Sequence, residues 1–221
     1  MPASIFPEWR VVEHYLTHAF STLALLAQHP TIVVYLITMH KASIPRIVIT
    51  GAPASGKTVF FERLRVLPVF EDYLFFEELA RKLLAEDPTY RERWTEFHRE
   101  IYRRQLAREN DAGERPFISD RGTVDAFAFH PETVTDVDTT IEREYRRYTA
   151  IVQLGSSGQL GENYYPVDEI RSESIDQALA VERMIRHVWS RHPAYHFIPA
   201  EISMETKYST FESLIMKLTG N

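Results

Sequence analysis

RIVITGAPASGKT, residues 46–58, changes character halfway along. Its first half carries Ile47, Val48, Ile49 and Thr50, a β-branched run that reads as a buried strand. Its second half, Gly51, Ala52, Pro53, Ala54, Ser55, Gly56, Lys57 and Thr58, has almost no side-chain bulk before the lysine and fits G-x-x-x-x-G-K-[ST]. The residues that follow, from Lys57 to Val66, place Phe60, Phe61 and Leu64 on one side of an amphipathic helix. Strand, small-residue loop and helix in this order turn the bare backbone into a binding surface. Small residues let successive N–H groups converge on an anion, and the positive end of the helix adds to them. Lys57 is expected to reach the β- and γ-phosphates of a nucleotide, and Thr58 to place its hydroxyl on Mg²⁺.

Working outward, short apolar runs alternate with amphipathic segments, as in an α/β sheet layered by helices. Strands are expected at residues 46–50, 72–76, 117–119, 149–154 and 195–198. Helices are expected at 77–85, 92–109, 174–191 and 209–218. The glycine-rich stretch at residues 154–163 reads as irregular and functional in character. A magnesium-bound triphosphate needs a carboxylate nearby, and Phe117-Ile-Ser-Asp-Arg-Gly122 offers Asp120 at the carboxyl end of a strand, the edge where open α/β sheets bind ligands. Its bland alternative is a helix N-cap, with Arg121 a surface charge. Asp125, one turn on, is either a partner behind that site or a charge on the helix surface. Residues 142–148, EREYRRY, read as the solvated face of a helix, with a Glu142–Arg146 pair.

The 221 residues carry a net charge of -6 and no cysteine. That excludes disulfides and thiolate metal sites, fits a reducing cytoplasm, and argues against a general grip on nucleic acid. Any anion must be held locally. Residues 1–44 differ from 45–221, the expected P-loop domain: no Lys, Arg, Asp or Glu lies between His14 and His40. This extension reads as a segment upstream of a true start at Met39, as a docked helix pair, or as a membrane anchor weakened by its central His29-Pro30.

In sequence order, GAPASGKT, Glu78-Leu-Ala-Arg81, ISDRGTVDAFAF, Arg171-Ser-Glu173-Ser and Trp189-Ser-Arg-His-Pro193 resemble the NadR-type AAA domain family of P-loop proteins. That family includes the nicotinamide riboside kinase domain of a bacterial NAD regulator and an animal GTP-binding protein of channel trafficking. The resemblance runs from Arg46 to the C-terminus. It implies a three-layer α/β sandwich with a parallel five-stranded sheet in the kinase-like order 2-3-1-4-5. It also implies ATP and Mg²⁺ as ligands, with Asp120 as magnesium ligand or as base for an acceptor hydroxyl, Glu78 at an acceptor pocket, and Arg171 on a lid over the nucleotide. Arg81 and Arg121 join Glu78 and Asp125 as candidate substrate contacts, an i,i+3 pair with Glu78 being the plain alternative for Arg81. No N-K-x-D motif is present, so GTP selectivity has no support. Phosphoryl transfer to a small hydroxyl acceptor, or to water, is the expected reaction. A nucleotide-dependent switch acting on a protein partner is the alternative.

Overall fold

The computed structural model describes residues 44–165 and 173–221; the expectations for residues 1–43 and for Arg171 lie outside them. Five strands form one sheet: β1 (Arg46–Gly51), β2 (Leu74–Phe76), β3 (Phe117–Asp120), β4 (Ala150–Leu154) and β5 (Tyr195–Ile198). All pair in parallel, in the order β2-β3-β1-β4-β5. The register sets Ile49 of β1 beside Asp120 of β3 and Gly51 of β1 beside Leu154 of β4.

A parallel sheet must be covered on both faces, and strand alternation assigns each residue to its layer. Ile47, Ile49, Ile118 and Val152 face α1 (Lys57–Arg65) and the C-terminal helix α8 (Met204–Thr219), packing with Phe60, Phe61, Leu64, Phe211 and Ile215. Val48, Phe117 and Ile151 face the opposite layer, made by α3 (Trp94–Asp111), α4 (Asp125–Phe129) and α7 (Ile175–Trp189), through Tyr102, Phe127, Ile185 and Trp189. Each of these large apolar side chains contributes roughly 1.5–3 kcal/mol by leaving water. Three short helices complete the frame: α2 (Leu79–Glu86), α5 (Thr133–Asp136) and α6 (Ile141–Tyr145). No helix among the described residues is long and apolar enough to cross a membrane.

Two expectations need correction. The last helix starts at Met204 rather than near 209, because the Ser203 hydroxyl accepts the N–H of Thr206 at 3.2 Å and caps it there. The 142–148 run is not a solvated helix face. Helix α6 stops at Tyr145, and Glu144, Tyr145 and Tyr148 are buried. Arg147 turns inward, Nε donating to buried Glu109 at 2.9 Å and Nη2 to Asn110 at 2.9 Å. A charge run is read as solvated by default; here a polar core beneath α3 supplies partners that a local window does not contain.

Candidate active site

The chain leaves β1 in opposite directions, first toward β3 and β2 and later toward β4 and β5. The carboxyl end of β1 is therefore a topological switch point, where open α/β sheets form a crevice. Residues 51–58 occupy it. Gly51 holds φ 151°, and a Cβ there would stand 2.5 Å from the carbonyl oxygen of Leu154, so only glycine fits. Ala54 is also left-handed at φ 57°, a conformation costing a non-glycine residue about 1 kcal/mol or more and seldom kept without surrounding support. That support comes from the glycine-rich stretch after β4. Rather than irregular chain it forms two 3-10 turns, Ser157–Leu160 and Glu162–Tyr164. Ser157 donates its N–H to the Ala54 carbonyl at 3.0 Å, and the Ser156 hydroxyl donates to that of Pro53 at 2.7 Å. Behind them Glu182 of α7 accepts from Ser156 N at 2.7 Å and from Gln159 Nε2 at 2.6 Å.

Lys57 opens α1, and its Nζ donates to the Ala52 carbonyl at 3.3 Å. Burial draws its pKa down and the nearby Arg121 guanidinium adds to that, while Asp120, Glu78 and Asp125 pull it back up. An anion beside Lys57 would favour its charged form further. Thr58 follows on the exposed side of the loop.

Asp120 ends β3 as a 4% exposed carboxylate whose Oδ1 has no hydrogen-bond partner. Burial pushes its pKa up, against the pull of Lys57 and Arg121. It caps no helix: α4 begins five residues on, so the N-cap alternative falls away. Arg121 takes φ 71°, and its backbone is pinned on both sides. Its N–H donates to Ile49 O at 2.9 Å, and its carbonyl accepts from Ser119 Oγ at 2.6 Å and from Gln105 Nε2 at 3.2 Å. The guanidinium is thereby carried into the site, where Nε donates to Glu78 at 2.9 Å, Nη1 to Asp125 at 3.3 Å and Nη2 to the Gly51 carbonyl at 3.4 Å, over the Phe129 ring at 5.2 Å. Desolvation opposes its charge, yet Glu78, Asp125 and Asp120 together hold its pKa above the ordinary arginine value.

Glu78 precedes α2. Burial would raise its pKa, but Arg121 and then Lys57 outweigh that and keep it ionised. Asp125 is neither peripheral nor solvated: it accepts from Thr50 Oγ1 at 2.5 Å, Gly122 N at 2.8 Å and Trp189 Nε1 at 3.2 Å, joining β1, the turn after β3 and α7. Arg81 is exposed on α2 and acts on Glu78 only through its field. The structure thus brings Lys57, Glu78, Asp120, Arg121 and Asp125 together and leaves Arg81 at the rim.

Residues that the motifs do not announce complete the site. Gln105 and Glu109 of α3 support the turn after β3, Glu109 accepting from Gln105 Nε2 at 2.6 Å and from Tyr148 Oη at 2.9 Å. Lys207 of α8 reaches under the phosphate loop.

The profile of the AAA domain family matches residues 46–207. No curated protein sequence matches the chain. Among solved structures, the chain is similar to one described as NadR protein in complex with NR (TM-score 0.53, 16% identity, covering 80% of this chain and 52% of that one). It is also similar to deoxyadenosine kinase from M. mycoides with bound dCTP (TM-score 0.50, 12% identity, covering 78% of this chain and 99% of that one). The chain spans about half the length of the NadR structure. At these identities the two likenesses establish the shared kinase-type P-loop fold.

Proposed function

We propose that this chain, which belongs to the AAA domain family, binds ATP with Mg²⁺ and transfers the γ-phosphoryl group to the hydroxyl of a small acceptor. One observation carries the reading. At the carboxyl ends of β1 and β3, a phosphate loop faces a buried carboxylate with a free oxygen, and a Glu78–Arg121 pair stands beside it. A bare hydrolase needs the first two features. The third gives an acceptor something to bind.

The donor set suits magnesium. Thr58 and Asp120 are hard oxygen donors, and Asp120 Oδ1 is buried without a hydrogen-bond partner, which leaves its lone pairs open to a cation. Mg²⁺ takes one or two protein oxygens and fills its remaining positions with phosphate and water. Bound there, it would neutralise the β- and γ-phosphate oxygens and order them for in-line transfer.

The protein's own contribution is positioning and charge. Loop N–H groups and Lys57 hold the phosphates. Arg121 offers a planar, permanently charged fork beside the Gly51 carbonyl. Glu78, held ionised by Arg121, suits hydrogen bonding to an acceptor hydroxyl. Asp120 serves either as that magnesium ligand or as the proton acceptor, a role that the rise of its pKa on burial suits. Arg171 is proposed to close over the nucleotide. A small ring-bearing acceptor fits the company of structures described with NR and as a deoxyadenosine kinase, and a cytoplasmic setting fits the absence of cysteine.

Calorimetric titration with Mg·ATP, Mg·GTP and ATP in EDTA tests the binding half. Mg·ATP should bind more tightly than either alternative, and Lys57→Ala should weaken it by about a hundredfold, the order of losing a charge-assisted contact to phosphate. Unchanged affinity in that variant would sink the assignment.

A further inference from the structure

The phosphate loop is held from behind by a cation outside its motif. Lys207 lies in the first turns of α8 and is 2% exposed. Its Nζ donates to the carbonyl of Ser55 at 2.8 Å and to that of Gly155 at 2.6 Å. One ammonium therefore joins α8, the loop after β1 and the loop after β4.

The Ser55 contact has a directional consequence. In a trans peptide the C=O and the next N–H point opposite ways. A Ser55 carbonyl drawn toward Lys207 turns the Gly56 N–H away from α8, to the side where loop amides gather around an anion. Gly56 is the N-cap of α1, in the left-handed region at φ 88° and ψ 3°, a conformation that glycine adopts without strain. Met204, one turn before Lys207, closes the same flank: its Cε lies 3.0 Å from where a Gly56 Cβ would stand.

Burying an ammonium is expensive unless its donors are used. The Lys207 pKa falls to about 8, burial being the main cause; Glu182 and Glu201 support the charge and Lys57 opposes it. Packing alone would be served as well by a methionine or leucine at this position. A buried cation spent on two backbone carbonyls is understandable if the orientation of those peptides matters.

We propose that Lys207 is a positioning residue for phosphate binding, fixing the Ser55–Gly56 peptide so that the Gly56 N–H meets the phosphates of a bound nucleotide. The inference rests on the nucleotide-binding reading above.

Lys207→Met keeps most of the side chain's length but loses its charge and donors. Full-length wild type and variant are titrated with Mg·ATP and with magnesium tripolyphosphate, and glycine-labelled ¹⁵N spectra follow the Gly56 amide on addition of Mg·ADP. Affinity should fall about tenfold or more, the order of losing a charge-assisted hydrogen bond. The loss should be equal for both ligands, because the damage lies at the phosphates and not at the base. The Gly56 resonance that moves in wild type should stay in place in the variant. A lower unfolding temperature with unchanged affinity would reduce Lys207 to a packing role and overturn the proposal. If the methionine variant does not fold, Lys207→Leu, which likewise lacks charge and donors, undergoes the same titrations under the same criteria. Failure of wild type to bind either ligand would reject the nucleotide reading itself, a result distinct from a variant that matches a binding-competent wild type.

Discussion

Asp120 occupies surroundings that do not favour its own ionised form. Its carboxylate is buried and one oxygen is unpartnered, while Lys57 and Arg121 offset only part of the desolvation. An acid whose folded pKa is raised binds more protons folded than unfolded, so its ionisation costs stability as pH rises past its unfolded value near 4. At neutral pH, Asp120→Asn removes that cost. Its free form should unfold at the wild-type temperature or above, while phosphoryl transfer falls by about 10²–10⁴-fold, the range for loss of a general base or charge stabiliser. Differential scanning calorimetry beside a turnover assay checks both. A variant with wild-type turnover would return Asp120 to a structural role. Arg121 shows the same logic from the other sign: three acidic neighbours and a left-handed backbone conformation keep one guanidinium in the crevice.

At the scale of elements, helix α3 both supports the site and carries an acid-labile residue. Gln105 and Glu109 brace the turn after β3 from one end. Near the other end His98 is 3% exposed with neither ring nitrogen partnered. It lies against Trp94 at 4.4 Å, His130 at 5.7 Å and Phe129 at 6.1 Å. Burial, with His130 adding to it, draws its pKa to about 4. A histidine with a lowered folded pKa releases its proton on folding, so stability is intact above pH 6.5 and is lost as pH falls from there toward 4. At pH 5 this amounts to about 2 kcal/mol. Urea unfolding at pH 7 and pH 5 should show that loss in wild type and a loss smaller by about that amount in His98→Phe. Equal acid losses would remove His98 as the cause. Helix α3 also marks the limit of what the sequence conveys. The phosphate loop is legible because strand, loop, lysine and helix are contiguous and each residue type has a local reason. Gln105, Glu109 and Arg147 meet across about forty residues of chain, and nothing within a local window distinguishes them from solvated charges. Lys207 is hidden for the same reason: with the last helix expected from 209, this lysine falls in the connection before it, where a lysine reads as exposed.

For the whole molecule, the order β2-β3-β1-β4-β5 turns scattered motifs into a site. It sets β3 and β4 on either side of β1, so that Asp120 and the loop after β4 flank the phosphate loop although they lie some seventy and a hundred residues beyond it. The apolar alternation foretold the strands, and the family resemblance foretold their order. The closure of the crevice from behind, by Glu182 and Lys207, depends on how α7 and α8 pack and was not legible. On the proposed function, this crevice transfers a phosphoryl group to a small hydroxyl acceptor. ADP formation by the full chain with Mg·ATP, screened against nucleosides and other small hydroxyl compounds with Lys57→Ala as the blank, tests it most directly. Turnover should be slow alone and rise by orders of magnitude with one class of acceptor, accompanied by a phosphorylated product. Turnover that is uniformly slow, abolished by Lys57→Ala and indifferent to every acceptor would contradict it and leave a nucleotide-binding switch.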